Sequence, residues 1–245
     1  MNTQTGAGEK PEKPQRGVAA VDRALSIIAA LEASNMPRNL SEISRVTGLY
    51  NSTILRILQS LQDAGYVMRV EDSKYVLGPT VMQLGLAYKR ANPLGHLFLP
   101  VMQRLVDEGF ESPSFHIRQT AEERYCLFRV NSKHSTLDRV HAGDRLTVRL
   151  GAAGKVLLAF GEESESSPEM NEIRQSCLAV SLGERDPFCA GVAAPVFAHR
   201  NRLVGALSFS GPKERFTPAD VKRMKGTMLA AAQELTAELG GTYPV

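Results

Sequence analysis

Cysteine is scarce in this 245-residue chain: Cys126, Cys177 and Cys189 are an odd set with no C-x-x-C pair. That excludes a disulfide framework and a zinc ribbon, and it fits a reducing cytoplasm. Long apolar runs are missing as well. None approaches the roughly 20 residues that a membrane-spanning helix needs, and the polar N-terminus lacks the apolar stretch of a secretory signal. A cytoplasmic protein with no membrane contact is expected. Charge of one sign is also lacking: 29 Lys and Arg face 26 Asp and Glu, a balance that permits contact with a polyanion without demanding it. Apolar residues are not lacking, and 43% of them across this length supply core material for one large domain or two modest ones.

Catalytic patterns are absent too. His96, His116, His134, His141 and His199 show no H-E-x-x-H or paired spacing, so no metal site is expected. His116 and His141 fall on expected strands and read as satisfied core or sheet residues. Gly154-Lys155 is not a phosphate loop, because Arg149 stands where that loop needs Gly and Val156 where it needs Ser or Thr. Cys189 has no His on an adjoining motif to activate its thiol. No catalytic residue and no cofactor are expected.

Turning to what is present, residues 1–17 are poor in large apolars and rich in Gly, Pro, Glu and Lys, which predicts a disordered arm. Its Lys10, Lys13 and Arg16 are either solvated or brush a DNA backbone. From Val21 the pattern turns helical, with Val21, Leu25, Ile28 and Leu31 on one face. Ser41 is a candidate N-cap for a second helix with Ile43 and Val46 inward and Gly48 as its stop. Asn51 or Ser52 caps a third, with Ile54, Leu58 and Leu61 on one face. Tyr66 to Val70 and Lys74 to Leu77 read as two strands around the turn Glu71-Asp72-Ser73. Three helices and a hairpin outline a winged helix-turn-helix over residues 18–79. A linker helix over 80–94 carries Val81, Leu84 and Tyr88. Residues 95–245 form a second domain that opens on a helix from about Gly95 to Glu108, with Leu97, Val101 and Leu105 inward.

In such a motif the second helix enters the major groove and its N-terminal side chains meet base edges. Here that helix begins Asn51-Ser52-Thr53, with Arg56 one turn later. Short polar side chains at a helix start can bond phosphate, and Arg56 suits a bidentate contact to guanine. Tyr50, Gln59 and Ser60 are placed for the flanking backbone, and Arg69 and Lys74 bracket the wing turn. Between Val18 and Tyr88 six bases balance six acids. A neutral motif is also compatible with a protein-interaction module, so the distribution matters: Arg45, Arg56, Arg69 and Lys74 can share one surface. Ser41, at the start of the preceding helix, completes the candidate DNA-contacting set.

Beyond Gly109, strands and helices alternate. Ser114 to Arg118, Arg124 to Val130, Leu137 to His141, Ala179 to Ser181, Gly191 to Phe197 and Leu203 to Ser210 read as strands. Ala152 to Phe160 reads as a helix opened by small residues. Thr217-Pro218-Ala219-Asp220 combines a Thr N-cap, Pro at the first helical position and an acid three residues after the cap. Ala152-Ala153-Gly154 would let a ligand carboxylate approach free backbone N–H groups. Ser208 and Ser210 alternate with Leu207 and Phe209, so their hydroxyls face one side. Gly183-Glu184-Arg185-Asp186-Pro187 reads as a charged turn whose Arg185 is solvated or pairs with a ligand acid.

The run Leu40-Ser41-Glu42-Ile43, then Thr47-Gly48-Leu49-Tyr50-Asn51-Ser52-Thr53-Ile54-Leu55-Arg56-Ile57-Leu58, then Gly65-Tyr66-Val67 and Tyr75-Val76-Leu77-Gly78, resembles the IclR family of bacterial regulators. Three later runs resemble that family's effector domain: Ala153 to Ala159, Val192 to Phe197, and Ala206 to Pro212. The resemblance implies an α+β chain, with a winged helix-turn-helix followed by a GAF-like domain in which helices flank an antiparallel sheet. It implies a regulator, more often a repressor, that binds a double-stranded DNA operator as a homodimer or homotetramer and senses a small molecule, commonly a carboxylic acid. Carried over residue by residue, the ligand positions fall near Ala152, Ala153, Ser181, Gly191, Ser208 and Ser210. The chain departs from the pattern at Gly191, where some relatives carry Cys, and at Arg149, where many carry His. Its connection from Phe160 to Ile173 is shorter, as though a helix were missing. Two alternatives stand beside the sensing regulator: a regulator whose second domain serves only assembly, and a small-molecule enzyme that carries a winged helix.

Overall fold

A computed structural model describes residues 17–34, 36–161 and 166–244. Most of the expected N-terminal arm, with Lys10, Lys13 and Arg16, lies outside the described residues, as do Glu162 to Glu165 of the short connection. The chain divides into two compact units, Met1–Ala91 and Asn92–Val245.

The first unit contains α1 (Ala19–Glu32), α2 (Leu40–Thr47), α3 (Asn51–Asp63), a hairpin of β1 (Val67–Val70) and β2 (Lys74–Leu77), and α4 (Pro79–Ala91). Ile27, Leu31, Ile43, Ile54, Leu58, Val67 and Tyr75 form its core. The buried face of α1 is Ile27, Ala30 and Leu31, while Val21 and Leu25 of the expected face are exposed. This helix is apolar on more than one side, so its periodicity admits two faces, and packing on α2, α3 and β2 selects one. The cap of α2 also differs from expectation: Asn39, not Ser41, accepts from the Glu42 N–H at 3.0 Å, and Glu42 accepts from the Asn39 N–H at 2.8 Å. This reciprocal box satisfies two otherwise orphaned donors. Asn51 and Ser52 both lie inside α3, and Tyr50 occupies the cap position without a side-chain bond. The turn before it is held from α2, where the Ser44 hydroxyl donates to the Leu49 carbonyl at 2.7 Å.

The second unit is a six-stranded antiparallel sheet with helices on both faces. Its elements are α5 (Leu94–Asp107), β3 (Ser112–Arg118), β4 (Glu123–Arg129), β5 (Arg145–Thr147), α6 (Ala152–Phe160), α7 (Pro168–Ser176), β6 (Ala179–Leu182), β7 (Cys189–Ala198), β8 (Arg202–Pro212) and α8 (Pro218–Glu238), with strand order β5-β4-β3-β8-β7-β6. Alternation along each strand separates the two faces. Phe115, Val192, Ala194, Val196, Leu207 and Phe209 pack beneath α5 and α8. Ala179, Ala193 and Ala206 point the other way, toward α6 and α7. The expected Thr217 cap of α8 is present, accepting from the Asp220 N–H. Leu137 to His141 is not a strand. The third strand is Arg145–Thr147, and the earlier run is irregular because Asp138 turns inward to arginines and Val140 is buried. Despite its short connection the chain builds α7, whose Met170 and Ile173 join the core around α6.

Candidate nucleic-acid interface and effector pocket

Ile54 and Leu58 anchor α3 in its unit's core, which leaves Asn51, Ser52, Arg56, Gln59 and Ser60 on an exposed face with Thr53 half-buried. Leu55 is exposed on that face too, an apolar group suited to a thymine methyl that spacing alone did not single out. Tyr50 is 84% exposed just ahead of the helix. Gln59 is not free, since its amide donates to Asp63 at 2.8 Å. Ser41 and Arg45 are exposed on α2. In the wing, Arg69 donates to Ser73 at 2.6 Å and Lys74 lies 3.7 Å from Asp72, so both cations have neighbours within the turn. Asp72 and Ser73 hold left-handed backbone, φ 58° and 56°, which makes the tip tight.

The second site lies on the polar face of the large sheet, beside the start of α6. Ser181 pairs with Gly191, Gly191 with Ser210, and Ala193 with Ser208, which brings three strands' small and hydroxyl side chains together. Six of the seven expected effector residues, Ala152, Ala153, Ser181, Gly191, Ser208 and Ser210, line one cavity of about 40 Å³. A site needs roughly 10–15 Å³ of such space per water, so this one holds a few heavy atoms. Gly154 does not line it. A Cβ there would stand 2.1 Å from the Val148 carbonyl, so this glycine serves the close approach of helix and chain.

The cavity also has charged walls, of which only Arg185 stands out in the sequence. His116, Arg124, Arg185 and Cys189 also line it. Arg129 donates to Ser114 and Ser210 at 3.0 and 3.1 Å and pairs with Asp138, to which Arg185 also donates at 3.3 Å. Arg185 is thus partly exposed and paired with Asp138. His116 is buried with no partner for Nδ1 among the described residues, so it is not the satisfied sheet residue expected; His141 is exposed near Asp144. Burial, followed by the charges of Arg124, Arg129 and Arg185, holds the His116 imidazole well below its ordinary range. Burial and then Arg185 bring the Arg124 guanidinium down to about 10. The Cys189 thiol is pushed up by burial and by Asp186, so it is no activated nucleophile. Strand alternation carries one signal for these groups: Arg124 shares a face with Cys126, which pairs with His116. A wider groove of about 900 Å³, beside the β3–β4 and β7–β8 turns, contains none of the expected effector residues. The smaller cavity is the better candidate because its His116 and Arg124 hold buried polar atoms with no partner among the described residues. Among the described residues there is no cluster of His, Cys, Asp and Glu able to hold a metal ion.

A winged helix-turn-helix with an exposed polar recognition face, in one chain with an antiparallel-sheet domain, defines a DNA-binding transcription regulator. The chain belongs to the IclR family: residues 20–71 match the IclR helix-turn-helix domain, and residues 166–237 match the C-terminal domain of the bacterial transcriptional regulator IclR. It is similar to the transcriptional repressor IclR of Escherichia coli (strain K12), 25% identical over 263 residues that cover 96% of each chain. Among solved structures it resembles an IclR-type regulator from Silicibacter sp. TM1040, with a TM-score of 0.77, 25% identity, and coverage of 92% of this chain and 98% of that one. It also shares its fold with an IclR homolog from Microbacterium hydrocarbonoxydans complexed with 4-hydroxybenzoate, with a TM-score of 0.73, 20% identity, and coverage of 89% and 100%. These relatives are transcription regulators, and no helix among the described residues is long and apolar enough to cross a membrane.

Proposed function

We propose that this regulator binds a specific operator through α3 and releases or grips it in response to a small organic acid held beside α6, acting as a cytoplasmic repressor and not as an enzyme. The observation that carries the DNA half is the exposed face of α3, where Asn51, Ser52, Arg56 and Ser60 face outward while Ile54 and Leu58 fix the helix from beneath. Ser41, Arg45, Thr53 and Tyr50 extend the same contact, and Arg69 and Lys74 of the wing serve phosphate or the minor groove once they exchange their internal partners for it. Support for the effector half is the convergence of Ala152, Ala153, Ser181, Gly191, Ser208 and Ser210 on one small cavity, together with a relative that holds an aromatic acid. A homodimer or homotetramer fits α4, none of whose residues is buried and whose Met82, Leu84, Leu86 and Tyr88 are all exposed. Two bound copies would also supply the phosphate contacts that a neutral module lacks alone.

The effector acts by linkage: it binds one arrangement of the oligomer better than another, and DNA prefers one of the two. A mobility-shift assay on the promoter region, with and without a panel of small acids, tests the whole reading. A shifted band that responds to one acid is the expected result. No shift removes the DNA half; a shift indifferent to every acid favours a second domain used only for assembly.

A further inference from the structure

Arg124 is a buried charge of the second unit with little compensation among the described residues. The residue is 3% exposed, and among the described residues its one hydrogen bond runs from Nη1 to the Leu150 carbonyl at 3.3 Å. Its Nε is buried without a partner, and no carboxylate forms an ion pair with it among the described residues. The guanidinium lies against the start of α6: a Cβ on Gly154 would stand 3.0 Å from Nη1, and one on Gly151 3.6 Å from Nη2. A helix start presents positive partial charge, so the local field opposes a cation there. The neighbouring Arg129 and Arg185 share a single acid, Asp138, whose side chain is fully enclosed. Two guanidinium groups thus share one carboxylate, while Arg124, on the same cavity as Arg185, has none among the described residues. Glu184 does not relieve Arg124; its oxygens go to Lys155 and to the Gly151 N–H, the latter at 3.4 Å. His116, on the neighbouring strand, lines the same cavity and holds a second buried atom, Nδ1, that has no partner among the described residues. Buried charges in native proteins are paired or occupied, so this arrangement lacks an anion.

We propose that Arg124 is the charge anchor for the carboxylate of a small organic acid, which its Nε and Nη2 grip side-on against the first N–H groups of α6, while His116 bonds a second oxygen on the adjoining carbon. The Nε–Nη2 edge of a guanidinium matches the spacing of two carboxylate oxygens, which makes it selective over a neutral amide. The cavity's 40 Å³ restricts the ligand to an acid of a few heavy atoms unless the walls part. This inference rests on the effector reading of the same cavity and adds to it the residue that recognises charge.

Calorimetry and thermal-shift measurements on the full chain test it with acetate, glycolate, their two amides and inorganic phosphate as probes. Wild type should bind the acids, glycolate more tightly than acetate, and ignore the amides and phosphate. Arg124→Gln should raise the glycolate Kd at least 30-fold, and Arg124→Lys, which keeps the charge and loses the fork, should fall between. Arg124→Met should raise Tm in acid-free buffer, because an unpaired buried cation has been removed; a lower Tm would show that the cation is compensated and would overturn the proposal. Wild-type affinity in Arg124→Gln sinks the anchor and leaves the organic-acid reading intact. Binding of phosphate in place of the carboxylates refutes the carboxylate grip. Failure of acetate and glycolate alike to bind wild type overturns the anchor, and the effector reading falls with it when the wider acid panel also leaves the operator complex unchanged.

Discussion

Arg129 and Asp138 form an ion pair whose side chains are only 3% and 0% exposed. Asp138 reaches inward from the irregular segment after β4, and its second oxygen accepts from Arg185 at 3.3 Å. Removing this one acid would strand two arginines, one of them fully enclosed. Breaking a buried pair from one side costs about 3–5 kcal/mol, since the surviving charge keeps its desolvation penalty. Asp138→Ala should therefore destabilise the chain by that order, read by urea unfolding followed by circular dichroism. A loss under about 1 kcal/mol, the level of an exposed pair, would mean that water reaches the pair.

Arg56 stands on the exposed face of α3. If it grips a guanine edge, Arg56→Ala should weaken operator binding by about 1–3 kcal/mol per bound copy and relax selectivity at one base pair. Arg69→Ala should instead weaken binding to all sequences alike and lower the salt dependence, because a phosphate contact carries no sequence information. Fluorescence anisotropy at two salt concentrations, with operator and scrambled DNA, separates the two behaviours. Equal loss on both DNAs for Arg56→Ala would demote it to a backbone contact.

The reciprocal bonds between Asn39 and Glu42, 2.8 and 3.0 Å long, begin the helix that supports α3. Replacing an Asn cap by Ala costs about 1 kcal/mol, because the Glu42 N–H loses its acceptor. Asn39→Ala should lower the Tm of the first unit's transition, while Ser41→Ala, inside the helix and exposed, should not. A scan in which Ser41→Ala is the more harmful would contradict the observed cap.

His116 gives the second unit an acid-sensitive core. The charges facing it are Arg124, Arg129 and Arg185, all positive, and burial acts in the same direction. Its folded pKa lies below the unfolded value, so in acid the unfolded chain binds the extra proton. Stability is thus complete above the ordinary histidine pKa of 6.5 and declines as pH falls beneath it. The slope approaches about 1.4 kcal/mol per pH unit for one proton. Tm measured from pH 7.5 to 5 should fall for wild type and fall less for His116→Phe. Parallel curves would indicate that His116 takes up its proton in the folded state.

Local rules made the helix-turn-helix and the long strands of the second unit legible, because period 3.6 and period 2 are written directly in Ile43, Ile54 and Leu58 and in Val192 to Val196. The α1 face was not legible, since Ile27 and Ile28 are equally apolar and only packing distinguishes them. The α2 cap falls on Asn39 and not on Ser41; both residue types suit a cap, so the sequence alone does not choose between neighbouring candidates. At the cavity, the small and hydroxyl residues and Arg185 stand out in the sequence, whereas Arg124 and Asp138 do not. Their roles depend on a loop that carries Asp138 some nine positions from its partner Arg129 and forty-seven from Arg185. No short spacing records such a meeting.

Gly154 offers a final test that separates packing from ligand contact. It lies in the first turn of α6, and a methyl there would stand 2.1 Å from the Val148 carbonyl and 3.0 Å from Arg124 Nη1. Backbone cannot yield as a flexible side chain can, so Gly154→Ala must push α6 away from the segment that leads into it. Overpacking of this kind costs about 1–3 kcal/mol, and the gain in helix propensity from Gly to Ala recovers up to about 1 kcal/mol. A net loss of stability in the second unit is therefore expected, with weaker acid binding because the N–H groups of Ala152 and Ala153 move with the helix. Gly226→Ala in α8, where a Cβ would meet nothing within 4 Å, is the control and should stabilise slightly. If Gly154→Ala behaves like that control in thermal unfolding, the close approach of α6 to Val148 is not what fixes the pocket wall.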